Sequence, residues 1–229
     1  GSGIFEDFED GTADNFVFYD SRTFVANGVL NAYGSGNDTW PEAYYNKDFQ
    51  NFTLEYKVKR NQGDPSASIG TFFRSTGLRN TSNLNGYGFN IASNGSYSVW
   101  KYTAGISTAL ISWTSSNAIN TVTDAWNIIT IEANGSNVKF YINSQYVNAI
   151  NDATYTSGRF NFAAYFDLGY THKVCWDDIS IVPQSGIIKS TSEQVAAINT
   201  PLSGSGSPEK APENLSNNKA VEVKGLIDE

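Results

Sequence analysis

The sequence predicts an all-β fold, an antiparallel β-sandwich, followed by a linker-like tail. Apolar and polar residues alternate over most of the stretch from Ile4 to Val182, as in Phe52–Lys59 (FTLEYKVK), and this period of two is typical of strands with one solvated face. Asn134-Gly135 lies between two β-branched runs, which indicates a tight hairpin. About twelve to fourteen such strand candidates follow one another, and no long stretch has a helical period.

The aromatic residues indicate where the sandwich ends. All 5 Trp, 13 Tyr and 14 Phe residues precede Pro183. We therefore interpret residues 1–3 as an expression remnant, 4–183 as the sandwich domain and 184–229 as a linker or tail. Within the tail, the capping-box pattern of Ser190 and Glu193 predicts a short helix over 190–199. The Gly, Ser and Pro content of 201–212 is typical of a linker, which predicts that the domain is one module of a longer chain.

Charge and composition exclude several classes of function. The net charge of −8 disfavours partners that need a basic surface, such as nucleic acids and anionic membranes. The apolar runs are too short to span a bilayer. The single cysteine, Cys175, precludes an internal disulfide, and the single histidine, His172, argues against a His-rich metal site. Neutral glycans and bound cations remain compatible with this composition.

The sequence contains no recognisable catalytic motif. The Glu-x-Asp-x-x-Glu pattern of sandwich glucanases and the Gly-x-Ser-x-Gly pattern of serine hydrolases are both absent. We interpret His172 as a surface or structural residue and Cys175 as a buried, inert thiol. A glycoside hydrolase would need two acids in one cleft, for example Glu42 and Asp167.

The last predicted strand contains an unusual carboxylate. Asp177 has the same strand phase as Ile179 and Ile181, so we expect it to face the core. A buried carboxylate must be hydrogen-bonded, paired or bound to a cation. Calcium is one such partner, because it prefers oxygen ligands, while backbone N–H groups and a basic side chain are the alternatives.

Four short motifs resemble those of a known superfamily. Phe8-Glu9-Asp10-Gly11 resembles the start, and Trp176–Ile181 (WDDISI) the final strand, of jelly-roll carbohydrate-binding modules. Gly70–Arg74 and Gly86–Ile91 resemble the core of concanavalin A-like lectin/glucanase domains, which include laminin-G-like domains and keto-glycoside hydrolase sandwiches. The resemblance implies a concanavalin A-like jelly roll over 4–183. It also implies a structural Ca²⁺ held by Glu9 and Asp177.

Aromatic and polar side chains indicate a sugar-binding surface. Sugars stack their C–H faces on aromatic rings and bond their hydroxyls to polar groups. Trp100 shares a strand face with Ser98 and Tyr102, and Trp40 is followed at alternate positions by Glu42 and Tyr44. We read the stretch 76–86 as a binding loop or lid, or else as a mobile connector. The predicted ligand-binding residues are Trp40, Glu42, Arg74, Asn90, Trp100, Trp113 and Tyr165.

These observations predict a non-catalytic carbohydrate-binding module of a larger secreted or cell-surface protein. We expect it to bind an oligo- or polysaccharide as a monomer, with a structural Ca²⁺ and with no nucleic-acid or membrane partner. The alternatives are a β-sandwich glycoside hydrolase and a protein-binding adhesion domain.

Overall fold

A computed structural model describes residues 3–184 and 207–213, and its strands are joined by turns and loops. The predicted helix at 190–199 lies outside the described residues. The strands are β1 (Ile4–Glu6), β2 (Phe16–Phe18), β3 (Thr23–Ala26), β4 (Val29–Ser35), β5 (Glu42–Phe49), β6 (Phe52–Gln62), β7 (Ile69–Thr76), β8 (Asn85–Ala92), β9 (Ser96–Thr103), β10 (Ile106–Ser115), β11 (Asn127–Asn134), β12 (Asn137–Ile142), β13 (Gln145–Asn151), β14 (Gly158–Ala164) and β15 (Thr171–Pro183).

The strands form two antiparallel sheets, and the predicted jelly-roll sandwich is confirmed. Sheet A has the order β13-β12-β11-β6-β15-β4-β3, with β1 also paired to β15. Sheet B has the order β10-β9-β8-β7-β14-β5-β2. Over the described residues no helix is long and apolar enough to cross a membrane.

The core between the sheets is built from the alternation seen in the sequence. In β6, Phe52, Leu54, Tyr56 and Val58 are all at most 3% exposed, whereas the residues between them are half-buried or exposed. Burial of each such side chain stabilises the fold by about 1.5–3 kcal/mol. The two sheets interlock through aromatic rings, since Phe89 of sheet B stacks on a ring of sheet A with 4.9 Å between the centroids.

A bulge in β15 changes the predicted phase of Asp177. Trp176 lies in the core, the pairing with β6 shifts register between Asp177 and Ser180, and Ile179 is again in the core. Asp178 has a positive φ of 47° at this point. Asp177 pairs opposite Lys57 and is half-buried on the outer side of sheet A, so the predicted core-facing orientation is wrong. The bulge adds one residue that strand periodicity cannot show.

A second irregularity, in β7, turns Arg74 away from its predicted position. Arg74 has a positive φ of 47°, and the pairing with β8 shifts register between Phe73 and Thr76. Its guanidinium donates to the carbonyl oxygens of Gln50, at 2.8 and 3.0 Å, and Tyr155, at 3.3 Å. Arg74 is 1% exposed and acts as a cross-link between chain segments.

Candidate functional site

A second aromatic cluster lies on the side of sheet B that faces away from the core, which we call the outer face of sheet B. Neighbouring residues of β7 lie on opposite sides of the sheet, since Phe73 belongs to the core and Phe72 to the second cluster. The cluster is buried although it lies outside the sandwich core, so other parts of the chain must cover it. Its buried members are Trp40, Phe72, Leu84, Ala92, Trp100, Tyr102, Trp113, Ala163 and Ala211.

Two glycines let the rings lie close against the sheet. A Cβ on Gly88 would stand 3.0 Å from the Tyr102 ring and 3.1 Å from the Phe72 ring. A Cβ on Gly70 would stand 3.2 Å from the Trp40 ring. Because contacts this short are tighter than normal packing, any side chain here would push the rings outward. Gly70 and Gly88 therefore allow aromatic rings to pack directly against the sheet. We call the rings of Trp40, Trp100, Tyr102 and Trp113 the aromatic platform.

The loop between β7 and β8 folds over this platform. The guanidinium of Arg79 lies 4.8 Å from the Trp40 ring centroid and 5.1 Å from that of Tyr102. Such cation–π contacts occupy the ring faces on which a sugar would stack. The Asn80 side chain exchanges two hydrogen bonds with the backbone of Trp40, at 3.1 and 3.3 Å. The loop is thus held as a cover over the platform by these contacts.

Glu42 is fully buried beside the platform. Its carboxylate accepts a 2.9 Å bond from the Arg79 backbone N–H and another from the Asn161 side chain. Burial raises the pKa of Glu42 to about 7, although these bonds and the nearby Arg159 and Arg79 act in the opposite direction. A carboxyl with a pKa near neutrality can hold or release a proton at physiological pH, which is the requirement for a general acid or base.

A segment from the predicted linker region covers the rest of the platform. The indole N–H of Trp113 donates to Ser207 O at 2.8 Å, and the Asn90 side chain donates to Pro208 O at 3.2 Å. Ala211 is 3% exposed and belongs to the aromatic cluster. The structure therefore places 207–213 on the sandwich, because its carbonyls and its alanine find partners there that composition does not reveal.

Charged residues surround one end of this segment. Lys210 pairs with Asp64 at 2.5 Å and with Asp167 at 3.1 Å. Burial tends to raise the pKa of Asp64, but Lys210 and the Ser66 backbone outweigh it and hold the pKa at about 2.

His172 is fully buried next to these charges, and its ring lies 3.0 Å from an Asp167 oxygen. Arg60 Nη1 lies 3.1 Å from His172 Nδ1, so we assign the remaining ring proton to Nε2. Burial, and then the charge of Arg60, lowers the pKa of His172, which keeps the ring neutral. This places His172 in a structural role.

The structure brings together most of the predicted ligand-binding residues. Trp40, Glu42, Asn90, Trp100 and Trp113 all lie on the outer face of sheet B, where they are at most 7% exposed. Tyr165 packs against Trp40 with 5.6 Å between the rings. Arg74 does not join them, for the reason given above.

Three further residues of the candidate site are absent from the predicted ligand-binding set. Asn161 alternates with core phenylalanines, so its phase signals the outer face. Tyr102 shares the phase of Trp100. Arg79 lies in a loop, and no local pattern marks it.

The predicted metal ligands, Glu9 and Asp177, are close enough to interact. Burial raises the pKa of Asp177, and the charges of Asp178 and Glu9 raise it further. The Glu9 carboxylate lies against Gly28, where a Cβ would stand 2.7 Å from Oε1. Among the described residues no three His, Cys, Asp or Glu side chains converge on one point. An ion here would therefore need backbone oxygens or water as well, and such a donor set fits calcium.

Comparison with protein families identifies the chain. A model of the 3-keto-alpha-glucoside-1,2-lyase-like domain matches residues 5–182. The chain belongs to this family. Its match covers the whole sandwich from β1 to β15 but not the segment 207–213. No curated protein matches the chain.

Solved structures share the fold of this 3-keto-alpha-glucoside-1,2-lyase-like domain. The carbohydrate-binding module CBM66 from Bacillus subtilis is 14% identical, with a TM-score of 0.60 over 73% of this chain and 96% of that chain. The Bacillus licheniformis beta-glucanase is 10% identical, with a TM-score of 0.62 over 80% and 99%. A prokaryotic beta-1,3-1,4-glucanase from a mouse hindgut metagenome is 12% identical, with a TM-score of 0.63 over 80% and 100%. The fold is therefore shared by binding modules and by enzymes.

Proposed function

We propose that this domain is a non-catalytic carbohydrate-binding module and that the outer face of sheet B holds the sugar. The observation that carries this proposal is the aromatic platform of Trp40, Trp100, Tyr102 and Trp113, which lies outside the sandwich core. Sugar C–H faces would stack on these rings once Arg79 and the segment 207–213, which cover them, are displaced. Asn90 and the indole N–H of Trp113 supply hydrogen bonds at the edge of the platform.

The carboxylates near the platform favour binding over catalysis. Glu42 is held by Arg79 and Asn161, and both Asp64 and Asp167 are paired with Lys210. A glycoside hydrolase that works with a pair of carboxyl groups needs both of them to face the scissile bond. Here each acid has a partner within the chain, which suits a surface that binds sugar and does not cleave it.

The binding proposal is tested by affinity electrophoresis. Wild-type protein should be retarded in gels containing barley mixed-linkage β-glucan, or the polysaccharide that responds most strongly on a glycan array. Trp100→Ala should reduce the retardation, and Trp100→Phe should retain most of it because a ring remains. The control is Trp126→Ala, since Trp126 packs on Lys59 of sheet A. Equal retardation of all four proteins would remove the platform from consideration.

A glycoside-cleaving enzyme is the second candidate, and Glu42 is the observation that favours it. Its pKa of about 7 would allow proton transfer to a leaving oxygen at neutral pH. Release of reducing ends from the same β-glucan, and its loss in Glu42→Gln, would establish the enzyme. Binding without any release supports the module.

We further propose that Glu9 and Asp177 hold a structural Ca²⁺ together with backbone oxygens, on the opposite sheet from the sugar. The ion would neutralise two carboxylates that repel each other.

We also propose that the module acts as a monomer, tethered to other domains of a secreted or cell-surface protein, because polysaccharides of this class lie outside the cell.

A further inference from the structure

We infer that the outer face of sheet B is also a peptide-binding surface, whose ligand is this chain's own segment Ser207–Glu213 (SPEKAPE). We further infer that this segment and a glycan exclude each other. The second part rests on the proposed sugar site, whereas the first part rests on contacts within the chain alone.

The surface binds the main chain of the segment. Ser68 N–H donates to Glu209 O, and Ala211 N–H donates to Ser66 O, both at 2.9 Å. Trp113 and Asn90 donate from their side chains to the carbonyls of Ser207 and Pro208. These two donors are also proposed sugar contacts. The segment therefore uses the hydrogen bonds that a sugar's hydroxyl groups would use.

The surface also matches the side chains of the segment. Glu209 pairs with Arg79, and Lys210 pairs with Asp64 and Asp167. Next to these charges, Ala211 enters the aromatic cluster. Glu209 thus faces a basic residue, Lys210 faces two acidic residues, and Ala211 faces aromatic rings. This complementarity selects the order Glu-Lys-Ala.

Buried polar atoms on the outer face of sheet B remain unsatisfied. Ser68 Oγ and Ser96 Oγ are buried and have no hydrogen-bond partner among the described residues. A buried hydroxyl without a partner costs free energy, which a ligand with hydroxyl groups of its own would recover. The peptide therefore fills the surface less completely than a polyhydroxylated ligand can.

Tethering makes even a weak peptide an effective competitor. Twenty-two residues separate Gln184 from Ser207, and a chain of that length reaches at most about 75 Å. A covalent connection of this length gives an effective peptide concentration on the order of millimolar. A glycan must displace the segment, so its apparent affinity falls by the ratio of that concentration to the peptide's dissociation constant.

The docking is tested in the full chain by hydrogen–deuterium exchange at the Ala211 and Ser68 amides. Lys210→Ala removes both ion pairs and should speed exchange at these amides by about tenfold. Lys47→Ala, at an exposed position in β5, should leave it unchanged. The synthetic peptide SPEKAPE should then slow exchange at Ser68 in Lys210→Ala, whereas SPEAAPE should not. Unchanged exchange in Lys210→Ala, with no effect of the peptide, would overturn the inference.

The exclusion is tested in gels containing barley mixed-linkage β-glucan. Lys210→Ala should be retarded more strongly than wild type, with about a tenfold lower apparent dissociation constant, and β-glucan should speed exchange at Ala211 in wild type. Equal retardation with unchanged exchange would show that segment and glycan use different surfaces, which overturns the exclusion and leaves the sugar-binding proposal standing. If neither protein is retarded, the proposed sugar site fails for this glucan and with it the exclusion, while the peptide docking is decided by the exchange data alone.

Discussion

The indole nitrogen of Trp113 donates a 2.8 Å hydrogen bond to the carbonyl oxygen of Ser207, a residue 94 positions further along the chain. This bond joins β10, at the edge of sheet B, to a segment beyond the last strand. Trp113 is 7% exposed as a result. A ring that the sandwich would otherwise expose is thus covered by the chain's own tail.

Loss of this bond should loosen the segment without disturbing the platform. Trp113→Phe keeps an aromatic ring but removes the N–H donor, which should weaken docking of the segment by about 1 kcal/mol. Exchange at the Ala211 amide should become roughly fivefold faster, because the open form is more populated. Trp126→Phe, on the other sheet, is the matched control. Identical exchange in all three proteins would contradict this role for the bond.

Truncation of Arg74 should mainly lower stability, whereas truncation of Arg79 should mainly affect sugar binding. Arg74→Ala removes three buried hydrogen bonds to backbone carbonyls, so we expect the free energy of unfolding to fall by about 3 kcal/mol. Sugar affinity per folded molecule should not change, since Arg74 lies away from the platform. Arg79→Ala uncovers the rings of Trp40 and Tyr102. Because the rings are uncovered, Arg79→Ala should increase glycan retardation, with a smaller effect on the free energy of unfolding.

The measurements are urea unfolding and affinity electrophoresis on both variants. A large loss of sugar binding in Arg74→Ala, with stability intact, would show that the guanidinium leaves the position seen in the structure.

Glu42 should make stability depend on pH. Its pKa is about 7 in the folded protein, against 4.5 for a free side chain. Between these values the folded state holds a proton that the unfolded state has released. The contribution of Glu42 is therefore fully present below about pH 4.5 and is lost as the pH rises through 7, a change of about 3 kcal/mol.

This dependence is measured by urea unfolding at pH 5 and pH 8. Glu42→Gln should lose the fall in stability between the two, because an amide does not titrate. Glu55→Gln, at an exposed site on β6, should behave like wild type. A wild-type profile in Glu42→Gln would mean that other groups cause the dependence.

Removal of calcium should destabilise the domain without affecting the sugar platform. We expect EDTA to lower the melting temperature and excess Ca²⁺ to restore it, with a gain of about 2.7 kcal/mol at one hundred times the dissociation constant. Glu9→Gln and Asp177→Asn should abolish the response. Asp10→Asn is the control, since its carboxylate bonds to Thr12. A melting temperature that is insensitive to both EDTA and Ca²⁺ would end the metal proposal.

Local sequence patterns were sufficient to predict the sandwich and most of the platform. Strand periodicity predicted which residues of β6 enter the core, and it put Trp100 and Tyr102 on one face. These predictions succeed because alternation is a local property of an extended chain, so that each residue's side follows from its neighbours.

The orientation of Asp177 and Arg74, and the cover over the platform, depend on features that appear only in the folded chain. Asp177 lies directly before one bulge and Arg74 lies within another, and in each bulge one extra residue reverses the alternation and leaves no trace in composition. The contacts of Arg79 and Lys210 join segments far apart in the chain. Their partners are selected by shape and charge after folding, so a segment with the composition of a linker becomes part of the candidate site.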